Sequence, residues 1–342
     1  MKLALRTFDL ALRHRFTIAR GSKTHQRTLI VQLEHEGVRG YGEAPHYPYY
    51  GATVEGAAEA LRRTGDLLAA AAADNPEALW DAAGELLADQ PFARCALDEA
   101  AWDLAGKLAR RPVWALWGLS IDRIPPSSYT IGIDTIETMA AKLDEQPDWP
   151  VYKIKLGTAD DVAIVRALRG RTGAAFRVDA NCGWTAEAAI ANAAALAELG
   201  VEFIEQPLAG GDYDGAARVR EASPLPILAD ESCVAEADVD RCAGAFDGIN
   251  IKLTKCGGLT PARRMIARAR QLGLSVMIGC MTESTVGISA GAQLLPLVDY
   301  ADLDGAVLLA DDTAAGVTVT PRRVVYPDTP GTGAGPLRAG LP

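Results

Sequence analysis

"AFRVDANCGWTAEAAIANAAALAELGVEFIEQP", residues 175–207, decides the fold. It opens on a short apolar run ending in Asp179 and passes through an alanine-rich stretch of helical period over 185–200. It closes on a second short apolar run that ends in Glu205. Strand, helix and strand in that order make a β/α unit, in which the helix carries the chain back so that the strands pair in parallel. The unit recurs on both sides. Strand-like runs read "SSYTIGI", "VYKIKLG", "AFRVDAN", "VEFIEQP", "PILADES", "GINIKLT", "SVMIGCM" and "YADLDGA", with helical segments such as "TPARRMIARARQLG" between them. Eight buried strands alternating with helices predict an α/β fold built as a closed parallel barrel. An open doubly wound sheet is the alternative, but no glycine-rich phosphate loop follows the first strand. After the eighth strand no helix is evident.

Upstream, "TLIVQLEHEG" alternates apolar and polar residues and "VRGYGEAP" continues beyond a turn, so residues 1–50 read as antiparallel strands. Residues 53–117 are alanine-rich and helical, with Ala96, Leu97, Ala100, Ala101 and Leu104 forming an apolar stripe. "IDRIPPSSYT" reads as a junction. The expected division is an α+β domain over 1–120, the barrel over 121–318, and a tail over 319–342 that returns to the first domain.

The 342 residues are enough for a large core plus a smaller domain, and 49% apolar with 23% charged is ordinary for a soluble protein. A net charge of −10 argues against nucleic acid and anionic membranes as partners. No window has the length and apolarity of a membrane span, and Arg6, Asp9 and Arg13 interrupt the leucines of the N-terminus. Six scattered cysteines without a CxxC pair suggest reduced thiols and a cytoplasmic protein.

Polar residues gather toward the C-terminal ends of the barrel strands, where barrel enzymes place their chemistry. Lys153 and Lys155 share one face of the second strand, because side chains two apart point the same way. A lone pair of this kind is commonly a solvated edge, but here other charges accompany it. Asp179, Glu205 and Asp230 end three consecutive strands at spacings of 26 and 25 residues, one β/α unit each, and are expected at matching heights. Any one of them suits a helix cap; three in register would repel unless a cation sat among them, and an all-oxygen set suits Mg²⁺. Strands two and six stand half a turn apart, so Lys155 and Lys252 are expected to face each other across the mouth. Removing a proton beside a carboxylate adds a second negative charge, which a metal on that carboxylate neutralises. Lys155 and Lys252 are therefore a candidate catalytic pair, with Lys153 lowering the pKa of its neighbour.

These residues, as "YKIKLG", "RVDAN", "IEQP", "ADES" and "NIKLTKCGG", resemble the enolase superfamily in its muconate-lactonizing-enzyme-like subgroup, over essentially the whole chain. The resemblance implies a (β/α)₇β modified TIM barrel under an α+β capping domain, with Mg²⁺ held by Asp179, Glu205 and Asp230. "DLDG" resembles the DxD of dipeptide epimerases, which implies that Asp302 and Asp304 hold a substrate α-ammonium. "FTIARGSKT" and "HYPYYGAT" resemble the two capping loops, with Arg20 a candidate partner for a glutamate side chain and Tyr49 a reason to consider an apolar or aromatic residue there. Lys153, Asn181, Cys280 and Met281 complete the candidate substrate contacts.

The implied activity is epimerisation of a dipeptide at the Cα of its C-terminal residue, with L-Ala-D/L-Glu and cell-wall recycling the family's example. A homo-oligomer is expected, since relatives are often dimers or octamers. Alternatives in the subgroup are muconate cycloisomerisation, o-succinylbenzoate synthesis and N-acylamino acid racemisation, whose substrates lack a free α-ammonium. Sugar-acid dehydration commonly needs a barrel histidine, and His14, His25, His35 and His46 all precede the barrel. A binding barrel without catalysis ranks last, since every expected catalytic residue is present.

Overall fold

The computed structural model describes residues 1–338; the last four residues of the expected tail lie outside them. Strands β1 (Lys2–Ile18), β2 (Gly21–His35) and β3 (Val38–Pro45) form an antiparallel meander. Alternation along β2 sends Leu29, Val31 and Leu33 to a core shared with the cap helices, while Ile30 joins Phe8 and Leu10 in a cluster that also holds Val286 and Leu309. The sheet is thus covered on both faces.

Helices α1 (Val54–Arg62), α2 (Gly65–Ala70), α3 (Pro76–Ala82), α4 (Pro91–Leu108) and α5 (Val113–Leu116) follow. The apolar stripe expected on α4 is wider than the sequence suggested. Ala96, Leu97, Ala100 and Leu104 pack in the cap, while Cys95 and Trp102 pack in the barrel core. A helix buried on all sides has no solvated face to mark its orientation.

The barrel strands are β4 (Tyr129–Ile131), β5 (Val151–Lys155), β6 (Ala175–Asp179), β7 (Val201–Glu205), β8 (Ile227–Ala229), β9 (Gly248–Lys252), β10 (Ser275–Gly279) and β11 (Tyr300–Asp302). They pair in parallel in sequence order. The ring closes where the Ser128 N–H donates to the Ala301 carbonyl at 3.1 Å, just before β4. The crossovers carry α6 (Ile136–Asp144), α7 (Asp161–Arg169), α8 (Ala186–Glu198), α9 (Tyr213–Ala222), α10 (Asp238–Cys242), α11 (Leu253–Cys256), α12 (Leu259–Gln271) and α13 (Thr285–Ala292). Among the described residues no helix follows β11, which makes the barrel (β/α)₇β. Beyond a small ribbon of β12 (Thr318–Val319) and β13 (Val324–Val325), the Thr332 N–H and hydroxyl donate to Asp103 Oδ1 on α4, at 2.8 and 3.0 Å.

The cap depends on a close approach of β3 to α4. A Cβ on Gly42 would stand 2.0 Å from the Ala96 carbonyl oxygen, and one on Gly40 would stand 2.2 Å from that of Ala100. Gly42→Ala must therefore push sheet and helix apart. Overpacking of this kind costs about 1–3 kcal/mol, and the melting temperature should drop by about 1–4 °C in a calorimetric scan. An unchanged melt would contradict the packing.

Candidate active site

Register sets the heights of the charged residues at the mouth. Lys155 pairs with Asp179, and Asp179 with Glu205. On the other side Lys252 pairs with Gly279, and Gly279 with Asp302. Asp230 departs from the expected equal height: the register partner of Glu205 is Leu228, so Asp230 stands one two-residue step further along. A two-residue step keeps the same face, and the stagger of barrel strands absorbs it. Asp179, Glu205 and Asp230 consequently each bring an oxygen within 4.8 Å of the others, all buried.

Lysines surround these acids. Lys155 Nζ lies 2.6 Å from Asp179 Oδ2, and Lys252 Nζ lies 2.7 Å from Asp230 Oδ2. Their strands, β5 and β9, are four apart in the eight-stranded ring, so the two ammonium groups stand on opposite walls with the acids on the arc between. Lys153 is not the bare charge beside Lys155 that the sequence suggested. Its Nζ sits 2.7 Å from Glu205 Oε2, 2.8 Å from Asp302 Oδ2 and 3.2 Å from Asp179 Oδ2. Burial opposes its charge, but Asp302, Glu205 and Asp179 together hold its pKa well above the usual lysine range. Burial pushes Lys23, on the cap, down to about 8, with Lys155 adding only a minor share.

Lys255 was missed. Its Nζ donates to Asp230 Oδ1 and to the Asp230 carbonyl, both at 2.6 Å, and also to the carbonyls of Cys233 and Asn250. The only sequence signal was its place three residues beyond Lys252, on the single turn of α11 that folds it back under the strand end.

The carboxylates differ in how well they are served. Burial opposes ionisation of all three, yet Lys155 and Lys153 hold Asp179 down to about 2, and Lys252 and Lys255 hold Asp230 well below the usual range. Glu205 goes the other way: burial and then the charge of Asp179 raise it to about 7. Its Oε1 accepts from the Asn250 amide at 2.7 Å, while Oε2 touches Lys153 at an angle that makes no hydrogen bond. Asn181 Oδ1 is likewise buried without a partner. A set of hard oxygen donors containing an under-served carboxylate oxygen fits Mg²⁺.

A small cavity with about 40 Å³ of free space opens on these groups. Lys155, Lys252, Asp230, Asn181, Cys280 and Met281 line it, with Asp302 at the end of β11 and Asp304 just beyond. These two acids are not equivalent. Asp302 Oδ1 accepts from the Ser128 hydroxyl at 2.6 Å while its Oδ2 holds Lys153. Asp304 accepts from the Thr130 N–H at 2.6 Å, and burial followed by the charge of Asp302 raises its pKa to about 7. Arg20 reaches the cavity from the cap, but its Nη2 sits 2.6 Å from Glu231 Oε1, its Nη1 donates to the Asn181 carbonyl at 3.0 Å, and its guanidinium lies 4.2 Å from the Tyr49 ring centre. Glu231 as the partner of Arg20 was not legible, because the two lie on different domains and far apart in sequence. Tyr47, Tyr50, Phe16 and Ile18 complete the cap-side lining.

The pattern described as enolase C-terminal domain-like matches residues 135–339, and that of the mandelate racemase / muconate lactonizing enzyme N-terminal domain matches residues 3–118. The chain belongs to the mandelate racemase / muconate lactonizing enzyme family. One member, an L-Ala-D/L-amino acid epimerase of Maribacter sp., is 51% identical over 97% of this chain and 98% of its own. The substrate-liganded L-Ala-D/L-Glu epimerase of Bacillus subtilis superposes with a TM-score of 0.94 at 27% identity, covering 99% of each chain. A dipeptide epimerase of Cytophaga hutchinsonii, complexed with Mg and D-Ala-L-Val, gives 0.93 at 28% identity over 99% of this chain and 96% of that one.

Asp230→Asn tests the metal site without reference to activity. It removes one ligand charge and leaves Lys252 and Lys255 buried against a neutral amide. Mg²⁺ affinity by isothermal titration should fall at least about tenfold. The melting temperature should fall too, since breaking a buried ion pair costs about 3–5 kcal/mol. Unchanged Mg²⁺ binding would remove Asp230 from the ligand set.

Proposed function

We propose that this protein is a Mg²⁺-dependent dipeptide epimerase, an isomerase that inverts the Cα of a dipeptide's C-terminal residue by two-base 1,1-proton transfer. The observation that carries the reading is the pair Lys155 and Lys252 on opposite walls of one cavity, with Asp179, Glu205 and Asp230 between them. Asp179, Glu205 and Asp230 would hold Mg²⁺, which when bound neutralises the charge that builds on the substrate carboxylate as its α-proton leaves.

A lysine tied to a carboxylate is a poor base. Were Asp230 shared with a bound cation, Lys252 would lose much of the attraction to Asp230 that holds its pKa well above the usual lysine range. One lysine then takes the α-proton from its side, and the other, still protonated, delivers a proton to the opposite face. Lys153 keeps its partner Asp302 and remains charged, suited to bind the substrate carboxylate. Asp304 accepts the α-ammonium, since it carries one internal donor where Asp302 is already committed.

The substrate class is L-Ala-D/L-Xaa, consistent with the name of the Maribacter relative. Glutamate is one member of the class. Arg20 already has Glu231 as its counter-charge, and Phe16, Ile18, Tyr47 and Tyr50 offer apolar contact, so neutral second residues are accepted as well.

Lys155→Ala and Lys252→Ala should each abolish epimerisation. Each mutant should still wash solvent deuterium into the Cα of only the stereoisomer that faces its remaining lysine, read by mass spectrometry in D₂O. Excess chelator should stop both reactions in the parent. A single lysine mutant that epimerises would refute two-base transfer.

Asp304→Asn should lower kcat/KM for a free dipeptide by about ten- to a hundredfold, the worth of a charge-assisted hydrogen bond of about 1.5–3 kcal/mol. N-acetylated dipeptides should be poor substrates for the parent, because they bring no charge to this acid. The anion of Asp304 is needed to bind the ammonium and burial raises its pKa to about 7, so KM should climb as the pH falls below that value. Equal kcat/KM for free and N-acetylated forms would favour N-acylamino acid racemisation instead.

A further inference from the structure

Three buried carboxyl groups that the reaction does not use lie where the cap meets the barrel. Glu43 on β3, Glu99 on α4 and Glu283 after β10 are 0%, 0% and 3% exposed. Their hydrogen-bond partners are all neutral. Glu43 accepts from the Thr28 hydroxyl at 2.8 Å on its own domain, then crosses to the barrel. There it accepts from the Ser284 N–H at 3.0 Å, the Ser284 hydroxyl at 2.5 Å and the Gly287 N–H at 3.1 Å. Ser284 is the N-cap of α13, so the carboxylate meets the positive end of that helix. Glu99 accepts from the Glu43 N–H at 2.9 Å and from the Cys95 thiol. Glu283 turns back to accept from the Met281 N–H at 2.7 Å, which braces the loop carrying Cys280 and Met281 into the active-site cavity.

Three anions cannot share so dry a space. Glu43, with two hydroxyl donors, two N–H donors and a helix N-terminus, is the one equipped to keep its charge. Glu99 and Glu283 have little to offset ionisation. We infer that Glu43 is a positioning residue that seats the cap on the Cys280–Ser284 loop, and that this seat holds only while Glu283 stays neutral.

The surroundings of Glu283 support the second clause. The carboxyl groups of Glu43 and Glu283 both converge on Gly287, whose N–H donates to Glu43 and whose Cβ, were there one, would stand 2.2 Å from Glu283 Oε2. Glu99 and Cys95 on α4, Cys280 on the same loop, Lys252 on β9 and Lys23 on β2 are the other charged or titratable groups acting on Glu283. Burial first, then the charge of Glu43, pushes Glu283 up to about 8, with the lysines acting only weakly against it. A carboxyl raised in this way stabilises the fold fully below its ordinary acidic pKa, and that contribution is lost as the pH rises through about 8. The new anion then repels Glu43 across the seat. Arg20, Tyr47 and Tyr50 on the cap lose their alignment with Met281 on the loop, while both lysines and all three metal ligands stay on their strands. The effect should fall on KM more than on kcat.

The kinetic readout rests on the epimerase reading, so thermal melting is measured beside it. Glu283→Gln mimics the neutral acid and cannot titrate. On raising the pH from well below to well above 8, its melting temperature and its KM for a free dipeptide should change less than those of the parent. Glu43→Gln turns an N–H toward the donors of Ser284 or Gly287. It should lower the melting temperature at every pH and raise KM at least about tenfold with a much smaller change in kcat. If it fails to fold, the Glu283→Gln comparison still decides. Identical pH dependence of melting in Glu283→Gln and the parent would overturn the inference whatever the enzyme's substrate. So would a Glu43→Gln protein that loses kcat with KM unchanged.

Discussion

Four carboxylates and four lysines are packed into the mouth of one barrel, and the remainder of the molecule is arranged so that they can stay there. Asp179, Glu205, Asp230 and Asp302 would repel one another if left alone in so dry a space, and so would Lys153, Lys155, Lys252 and Lys255. Interleaved, they come to electrical balance. That balance stops short at Glu205, whose pKa stays raised and whose Oε2 lacks a hydrogen bond. A dication fits there.

Such a cluster needs a rigid support, because a shift of one residue in any strand would turn a charged side chain from the mouth into the wall. The parallel ladder supplies the rigidity, and its stagger lets Asp230 arrive one step beyond its neighbours without leaving their face. The cap then covers the mouth. It can do so only because β3 lies almost in contact with α4, which requires Gly40 and Gly42, and because α4 is apolar toward both domains. The carboxylate of Glu43 ties that assembly to the loop that lines the cavity. Closure of the site and the packing of the cap are one structural problem.

The cavity lining is also divided between the two domains. The lysines and the acidic cluster proposed to act in the reaction come from the strand ends of the barrel, while Tyr47 and Tyr50 line the cavity from the cap. Arg20 reaches across that boundary, and its pairing with Glu231 spends its charge on holding the two halves together.

Much of this was legible in the chain itself. Apolar runs at one β/α interval dictate a parallel barrel, and a period of two places Lys153 with Lys155 on a single strand face, whereas β11 ends at Asp302 and Asp304 lies just beyond it. Those are local regularities, and spacing records them. Other features could not be read. Lys255 lay inside a quoted motif, but only the turn of α11 aims it at Asp230. The grip of three acids on Lys153, the pairing of Arg20 with Glu231, and the meeting of Glu43 with Ser284 join residues from different strands or domains. Spacing along one strand does not encode distance across a barrel. The state of a buried charge depends on which partners fill the few ångströms around it, and only the tertiary structure chooses them.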